Sequence, residues 1–265
     1  MSRGQVEGYD ELATLEEWKK NRLLSPKEAQ HKKPYRRKSL LSGDEILTLK
    51  ETIERWKSLK SIGVVERDSQ GRQVEADSNR TPVWTTAYAH TDRHFQLAFP
   101  ELLERIRRVV LDADEEATWG VLKGREATSL NFRTIEFHRY ESGGSLSNWR
   151  DEHFDDGSLI TIDIMLSDPD AGDFVGGELV FPTEDGSFDS SVETFEIGDA
   201  MLFVSHKPHN VRPVVKGVRE VLVLELWEGD ERCCAHRCLK RSGDCSGSMA
   251  RLHLASVAQD LINLT

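Results

Sequence analysis

From Leu130 to Trp227 apolar and polar positions run in short bursts cut by glycine, aspartate and proline: NFRTIEFHRY, SLITIDIMLS, GELVFP, TFEIG, DAMLFVSH, NVRPVV and REVLVLELW. Bursts of that length at regular spacing predict strands of an all-β sandwich or jelly roll. In SLITIDIMLS, Ile160, Ile162, Ile164 and Leu166 fall on one face, with Thr161, Asp163 and Met165 on the other. Upstream the period is helical. Ile46, Leu49, Ile53 and Trp56 recur at helical spacing behind Ser42 and Asp44, either of which can cap. A second helix starts near Pro100, with Leu102, Leu103, Ile106, Val109 and Val110 as its apolar stripe. Between the two, SIGVVERDSQGRQVEADSNRTP is polar and turn-rich, a loop or weak hairpin. Near the end, SMARLHLASVAQDLINL predicts one more amphipathic helix.

These patterns divide the chain into a loosely attached leader (1–43), a helical support (44–129), a β core (130–229) and a cysteine-bearing tail (230–265). In the leader, HKKPYRRKSLL is basic and broken by proline; it reads as a solvated linker, with a nuclear-import or anion-binding patch as the sharper alternative. The hydrophobic and charged fractions, 38% and 31%, suit one substantial globular domain with a polar surface. A net charge of -11 argues against nucleic-acid binding through a global positive field and leaves room only for a local basic groove. There is no eighteen-residue apolar run and no apolar N-terminal core of the signal-peptide kind, so the expected compartment is the cytosol, with the nucleus left open by the basic patch. Nothing in the pattern specifies an oligomeric state.

The chemistry concentrates in the β region. Two imidazoles and a carboxylate on one face of Fe(II) leave the other positions open, and a His-x-Asp on a strand sends both side chains to the same side. His153 and Asp155 offer that pair, with Phe154 pointing the other way. His90-Thr91-Asp92 is a second match, but no histidine in a following β region completes it, and Asp92 is placed to cap the next helix. As the second imidazole, His209 competes with His206 of the turn SHKPHN.

The surrounding motifs come in a fixed order: E-x-H-x-Y-x-x-G-G-x-L from Glu136, the His153/Asp155 pair, a T-x-x-x-x-L strand from Thr161, G-G-E-L-x-F-P from Gly176, G-D-A-x-x-F from Gly198, and H-x-V-x-P-V-x-x-G-x-R from His209 to Arg219. Together they resemble the prolyl 4-hydroxylase-like branch of the Fe(II)/2-oxoglutarate-dependent dioxygenases. The resemblance covers roughly Asn131 to Trp227. It implies an α+β, mainly β fold: a double-stranded β-helix (jelly roll) with the N-terminal helices outside. It also implies Fe(II) held by His153, Asp155 and His209, and 2-oxoglutarate and O2 as co-substrates, with ascorbate as an optional reductant. The basic residue ten positions after the distal histidine would bind the far carboxylate of 2-oxoglutarate. Arg219 meets that spacing, and a guanidinium offers two parallel donors. Tyr140 would hydrogen-bond the same co-substrate, and Thr161 would sit beside it.

Two departures from the family pattern stand out. Prolyl 4-hydroxylases usually carry lysine where this chain has Arg219, and related oxygenases with arginine often have serine two residues on, where this chain has Val221. The implied reaction is hydroxylation of an unactivated C–H bond with release of succinate and CO2. A peptidyl residue is the first substrate class, a small molecule or lipid the second, and a non-catalytic jelly-roll binding module the third reading. Neither a membrane nor a nucleic acid is expected as a partner.

Other residues have plainer readings. His138 shares the face of Tyr140 as a strand histidine, Arg133 and Glu136 are salt-bridge candidates, and Gly176 and Gly177 permit a tight turn. SDPDAGDFVGG lies between two predicted strands at the mouth and is the expected substrate-contacting lid, and Arg212 is the second choice of co-substrate cation. Cys233, Cys234, Cys238 and Cys245, with His236 among them, lack the paired C-x-x-C spacing that marks a zinc site, so free thiols or an incidental disulfide are expected.

Overall fold

The computed structural model describes residues 11–75, 77–146, 153–183, 191–193, 195–243 and 245. Among them the helices are α1 (Glu11–Lys20), α2 (Pro26–Ala29), α3 (Gly43–Ser58), α4 (His94–Ala98) and α5 (Pro100–Glu116). The strands are β1 (Tyr35–Arg37), β2 (Gly63–Arg67), β3 (Trp84–Tyr88), β4 (Asn131–Tyr140), β5 (Ile160–Met165), β6 (Phe174–Gly176), β7 (Leu179–Phe181), β8 (Ser191–Glu193), β9 (Ala200–Val204), β10 (Asn210–Val211), β11 (Val214–Gly217) and β12 (Arg219–Trp227). Seven form one antiparallel sheet in the order β1-β9-β5-β12-β4-β3-β2. The rest make two small antiparallel sheets, β10-β7-β8 and β11-β6.

Strand alternation sorts the large sheet into two faces. Phe132, Ile135 and Phe137 of β4, Ile160, Ile162 and Ile164 of β5, and Leu222, Leu224 and Leu226 of β12 join the apolar stripes of α3 and α5 in one continuous core. Each fully buried aliphatic or aromatic side chain there contributes about 1.5–3 kcal/mol, which fixes register, because a one-residue slip would turn the whole set to the other face. Met165, Met201, Phe203 and Val221 point oppositely and pack with Leu179, Phe181, Val211 and Val214 of the small sheets. The polar side chains of that second face surround a cavity. The architecture is therefore a mainly antiparallel β core with helices on one face of its large sheet.

Several elements coincide with the pattern. β4 and β12 have the predicted limits, and α5 starts at Pro100 as expected. α3 is capped by Ser42, not Asp44: the Ser42 hydroxyl accepts from the Glu45 N–H while the Glu45 carboxylate accepts from the Ser42 N–H, a capping box worth about 1 kcal/mol.

Other elements differ. The supposed leader is docked from Trp18 onward: β1 pairs with β9 at the edge of the large sheet, Leu40 and Leu41 are buried in the main core, and Trp18 Nε1 donates to Asp156 Oδ1 at 2.7 Å. Arg36 of its basic run pairs with Asp199 and Glu196, so that charge is neutralised within the fold. The turn-rich segment after α3 contributes β2, and β3 beside it is a strand that the pattern does not announce. TFEIG is not a strand over its described residues; β8 lies just before it. NVRPVV splits into β10 and β11 around Pro213, which has no N–H for a ladder. The amphipathic segment from Ser248 on lies outside the described residues.

Candidate active site

His153, Asp155 and His209 are brought together, each offering one donor atom, with all three donors within 4.8 Å of one another. His153 Nε2 lies 3.3 Å from Asp155 Oδ1, and His209 Nε2 lies 3.8 Å from Asp155 Oδ2. The same-side placement of the pair arises without the regular strand that the spacing suggests. His153 and His209 form an isolated antiparallel bridge, the His209 N–H donating to His153 O at 2.9 Å, while the Asp155 N–H donates to Ser205 O at 2.8 Å. Two single-residue attachments thus take the place of a ladder.

The donors are held in ligating form by their neighbours. His209 Nδ1 lies 2.9 Å from Lys207 O; the ring nitrogen donates there, which leaves the Nε2 lone pair for a metal. Burial pushes His209 down to about 4, so the imidazole is neutral. Burial opposes ionisation of Asp155, but the His209 and His153 imidazoles beside it outweigh that and hold its carboxyl below the usual carboxylate range. Thr161, expected beside the co-substrate, donates its hydroxyl to Asp155 Oδ2 at 2.6 Å and lies 2.9 Å from Ser205 Oγ, while still lining the cavity. Its hydroxyl therefore orients the carboxylate.

The trio opens on a cavity of about 230 Å³ that Tyr140 and Arg219 also line. Arg219, first residue of β12, is in register with Tyr140, last of β4, and Tyr140 with Trp84, first of β3. Trp84 and His138 stack on the Tyr140 ring at centroid distances of 5.2 and 5.8 Å, and the Arg219 guanidinium carbon lies 5.7 Å from its centroid. Gly177 makes room for this arginine: at φ +68, an added Cβ would lie 2.9 Å from Arg219 Cδ. Arg219 is 0% exposed, yet Nε, Nη1 and Nη2 have no hydrogen-bond partner. Its ion-pair contact is Asp163 Oδ2 at 3.7 Å, and burial raises the Asp163 carboxyl above its ordinary value, although Arg219 opposes this. A buried guanidinium left this way costs several kcal/mol unless a guest anion satisfies it. Arg212 does not line the cavity.

Sequence reasoning misses a third wall. Glu136 Oε2 lies 3.0 Å from His138 Nε2, with Thr134 Oγ1 donating to Oε1 at 2.8 Å. Burial opposes the Glu136 charge, but the hydrogen bond from His138, with Thr134 and Arg237 beside it, prevails and holds it down at about 2. Beside it, Arg237 grips Glu225 through Nε and Nη2 at 2.6 and 2.8 Å. Glu136, His138, Glu225 and Arg237 all line the cavity. The signal for Glu136 and Glu225 was available, since both lie on the inward parity of β4 and β12; nothing local marks Arg237.

The rival residues have other partners. His90 is fully buried, and its Nδ1 accepts from the Ile135 N–H at 3.1 Å. Asp92 does not cap the next helix. The chain turns through left-handed Asp92 and Arg93, so Arg93 stands at the start of α4. His206, the competitor of His209, is buried beside Trp18 and accepts from the Gly157 N–H at 2.9 Å. Arg133 donates to Cys238 O at 2.8 Å and lies 3.7 Å from Glu225, a structural role.

No family model matches the chain, and no curated protein matches it in sequence. Among solved structures, an oxidoreductase of the 2OG-Fe(II) oxygenase family from Burkholderia pseudomallei is similar at a TM-score of 0.51 and 14% identity, over 77% of this chain and 91% of that one. A Pseudomonas putida prolyl-4-hydroxylase aligns over 83% of this chain and 98% of its own at 16% identity and a TM-score of 0.46. A Trichoplax adhaerens prolyl hydroxylase, in complex with a hypoxia inducible factor peptide fragment, aligns over 83% and 94% at 14% identity and 0.45. Among the described residues no helix is long and apolar enough to cross a membrane. In its antiparallel β core, with helices on one face of the large sheet, this chain shares the fold of the 2OG-Fe(II) oxygenase.

Proposed function

We propose that the chain is a non-haem Fe(II)- and 2-oxoglutarate-dependent dioxygenase that hydroxylates an unactivated C–H bond, with a peptidyl residue as its first substrate class. In this reading the large sheet and the small sheets are the two halves of a double-stranded β-helix, and the cavity between them is its open end. The carrying observation is the fully buried Arg219 guanidinium, whose nitrogens have no hydrogen-bond partner, on the same cavity as the His153–Asp155–His209 trio. A cation site and an unsatisfied anion-binding group on one wall suit a small dianion that reaches from one to the other.

His153, Asp155 and His209 would hold the metal through two neutral imidazoles and an ionised carboxylate, the donor set of an Fe(II) site with open positions. Bound there, Fe(II) supplies oxygen activation coupled to conversion of 2-oxoglutarate to succinate and CO2. The chain supplies the geometry. Thr161 and the Lys207 carbonyl set the angles of Asp155 and His209. Arg219 clamps the far carboxylate, and Tyr140, packed against the rings of Trp84 and His138, closes that end. The Phe181 and Phe203 rings beside His209 keep water from its back. The segment from Ser167 to Gly177, expected as the substrate-contacting lid, is folded on the Asp168 carboxylate and contributes no residue to the wall of this cavity.

The test is succinate release from 2-oxoglutarate by Fe(II)-loaded protein, first alone and then with a panel of proline-containing peptides and a panel of metabolites. Stimulation by a peptide supports the reading as stated, and stimulation only by metabolites moves the substrate to the second class. Absence both of succinate and of 2-oxoglutarate binding to the anaerobic Fe(II) protein sinks the oxygenase reading.

A further inference from the structure

Beyond β12 the described residues form no helix or strand, and residues 228–243 have no apolar core of their own, being tied down by scattered polar bonds such as Asn131 Nδ2 to Gly229 O and Arg133 Nε to Cys238 O. Leu239, the one large aliphatic side chain among them, is 79% exposed, whereas Cys234 and Cys238 are each 1% exposed. Apart from the Arg232 side chain, what this segment buries is sulfur. A short irregular stretch without an apolar core of its own usually needs a covalent or metal staple.

The staple's parts are in place. Cys234, His236, Cys238 and Cys245 each offer one donor atom, and all four lie within 4.8 Å of one another. Cys245 Sγ is 3.4 Å from His236 Nε2. A tetrahedral Zn(II) with bonds of about 2.3 Å to sulfur and 2.0–2.1 Å to nitrogen has donor–donor edges of roughly 3.4–3.8 Å. The cluster is therefore within about 1 Å of a closed Cys3His site. All these cysteines are thiols, and Cys233, next in sequence to Cys234, is not one of the four.

We propose that Cys234, His236, Cys238 and Cys245 form a structural Zn(II) site, separate from the His153–Asp155–His209 trio, that fastens the tail to the large sheet and positions Arg237 in the cavity wall. Metal binding replaces the thiol protons, which pass to solvent, so the closed site carries thiolates on zinc. Around it the tail is already fitted to the sheet. Arg133 of β4 donates to Cys238 O at 2.8 Å, and Gly63 of β2 meets the Ala235 carbonyl where a Cβ could not fit. Arg237 is flanked by two of the ligands. Its grip on Glu225, a residue of β12, and its 3.2 Å bond to Asp156 O carry the position of the site into the cavity.

The spacing C-x-H-x-C followed by a distant cysteine hides the site from motif reading, because three donors fall within five residues on irregular backbone. The inference does not depend on the oxygenase reading, and its test keeps the two apart. Protein carrying Asp155→Ala and His209→Ala, grown with zinc and purified without chelator, should contain about one zinc per chain by elemental analysis. Cys233→Ser in that background should keep the zinc, and Cys238→Ser should reduce it to less than about a tenth of an equivalent. Should Cys238→Ser fail to fold, X-ray absorption at the zinc edge of the Asp155→Ala, His209→Ala protein decides: a shell of three sulfurs and one nitrogen is expected. A shell of nitrogen and oxygen only, a protein without zinc whose thiols all react or pair as disulfides, or zinc retained by Cys238→Ser would each overturn the proposal.

Discussion

The two donor clusters differ in chemistry, in access and in what holds them. The trio has two imidazoles and a carboxylate, and its His153 side chain is 37% exposed toward the cavity. The quartet has three sulfurs and an imidazole, with two of the sulfurs almost sealed off. Three donors on one side leave room for chemistry, while four soft donors close a metal in. The supports differ as well. Asp155 and His209 are aimed by hydrogen bonds from and to the β core, whereas the quartet sits on backbone without ladder bonds and would draw its order from the metal itself. A working site is preorganised before the metal arrives, and a holding site is organised by it.

The largest effect expected is complete loss of one site with survival of the other. Asp155→Ala should abolish Fe(II)-dependent 2-oxoglutarate turnover while the zinc content and the circular dichroism of the fold stay at parental levels. His90→Ala, the decoy, should retain turnover. Equal loss in both variants would mean that the trio is not the working site.

Next is Arg219→Ala. Removing the guanidinium leaves a carboxylate in a buried pocket without its counter-ion, a loss on the order of 3–5 kcal/mol, or roughly a hundredfold or more in 2-oxoglutarate affinity. Titration of 2-oxoglutarate into the anaerobic protein should show that loss with iron binding intact. Arg219→Lys should recover much of it through a single point charge. A variant that binds like the parent would show that another cation serves.

What was legible follows from where the information lies. β4 and β12 could be bounded because each alternates between an apolar and a polar face over nine or ten residues. That His153, Asp155, His209 and Arg219 meet on one cavity was legible because the motifs that carry them come in a fixed order along the chain. β1 was not, because an edge strand of three residues, Tyr35-Arg36-Arg37, looks like a charged linker until Asp199 is found beside Arg36. β3 escaped because four of its five residues are buried and the pattern does not alternate. Arg237 and the quartet depend on the route of a tail that no local rule describes.

A second contrast separates the wall that binds charge from the wall that stores it. Glu136 has its pKa held at about 2, below the ordinary 4.5, by His138 against the cost of burial. The unfolded chain therefore binds more protons than the folded one between those values, so stability from this group is full above pH 4.5 and is lost as pH falls toward 2. The shift corresponds to on the order of 3 kcal/mol. In denaturant titrations of metal-free protein, the parent should lose more stability between pH 5 and about 2.5 than Glu136→Gln does. Equal acid slopes would remove Glu136 from the account.

The smallest effect, and the one that tests preorganisation most directly, is Thr161→Val. The two side chains are nearly isosteric, so packing between Asp155 and Ser205 should persist while the 2.6 Å bond to Asp155 Oδ2 is lost. Removing such a support for a ligating carboxylate typically costs 10–100-fold in metal affinity, about 1.4–2.7 kcal/mol. Fe(II) affinity should therefore fall in Thr161→Val and be largely kept in Thr161→Ser, which retains a hydroxyl at the same atom. If Thr161 instead served the co-substrate, as the family resemblance implies, the loss would appear in the 2-oxoglutarate titration at saturating iron, with Fe(II) affinity unchanged. The two titrations on one variant separate a residue that aims a ligand from one that binds a guest, because the first acts before the co-substrate is present and the second cannot.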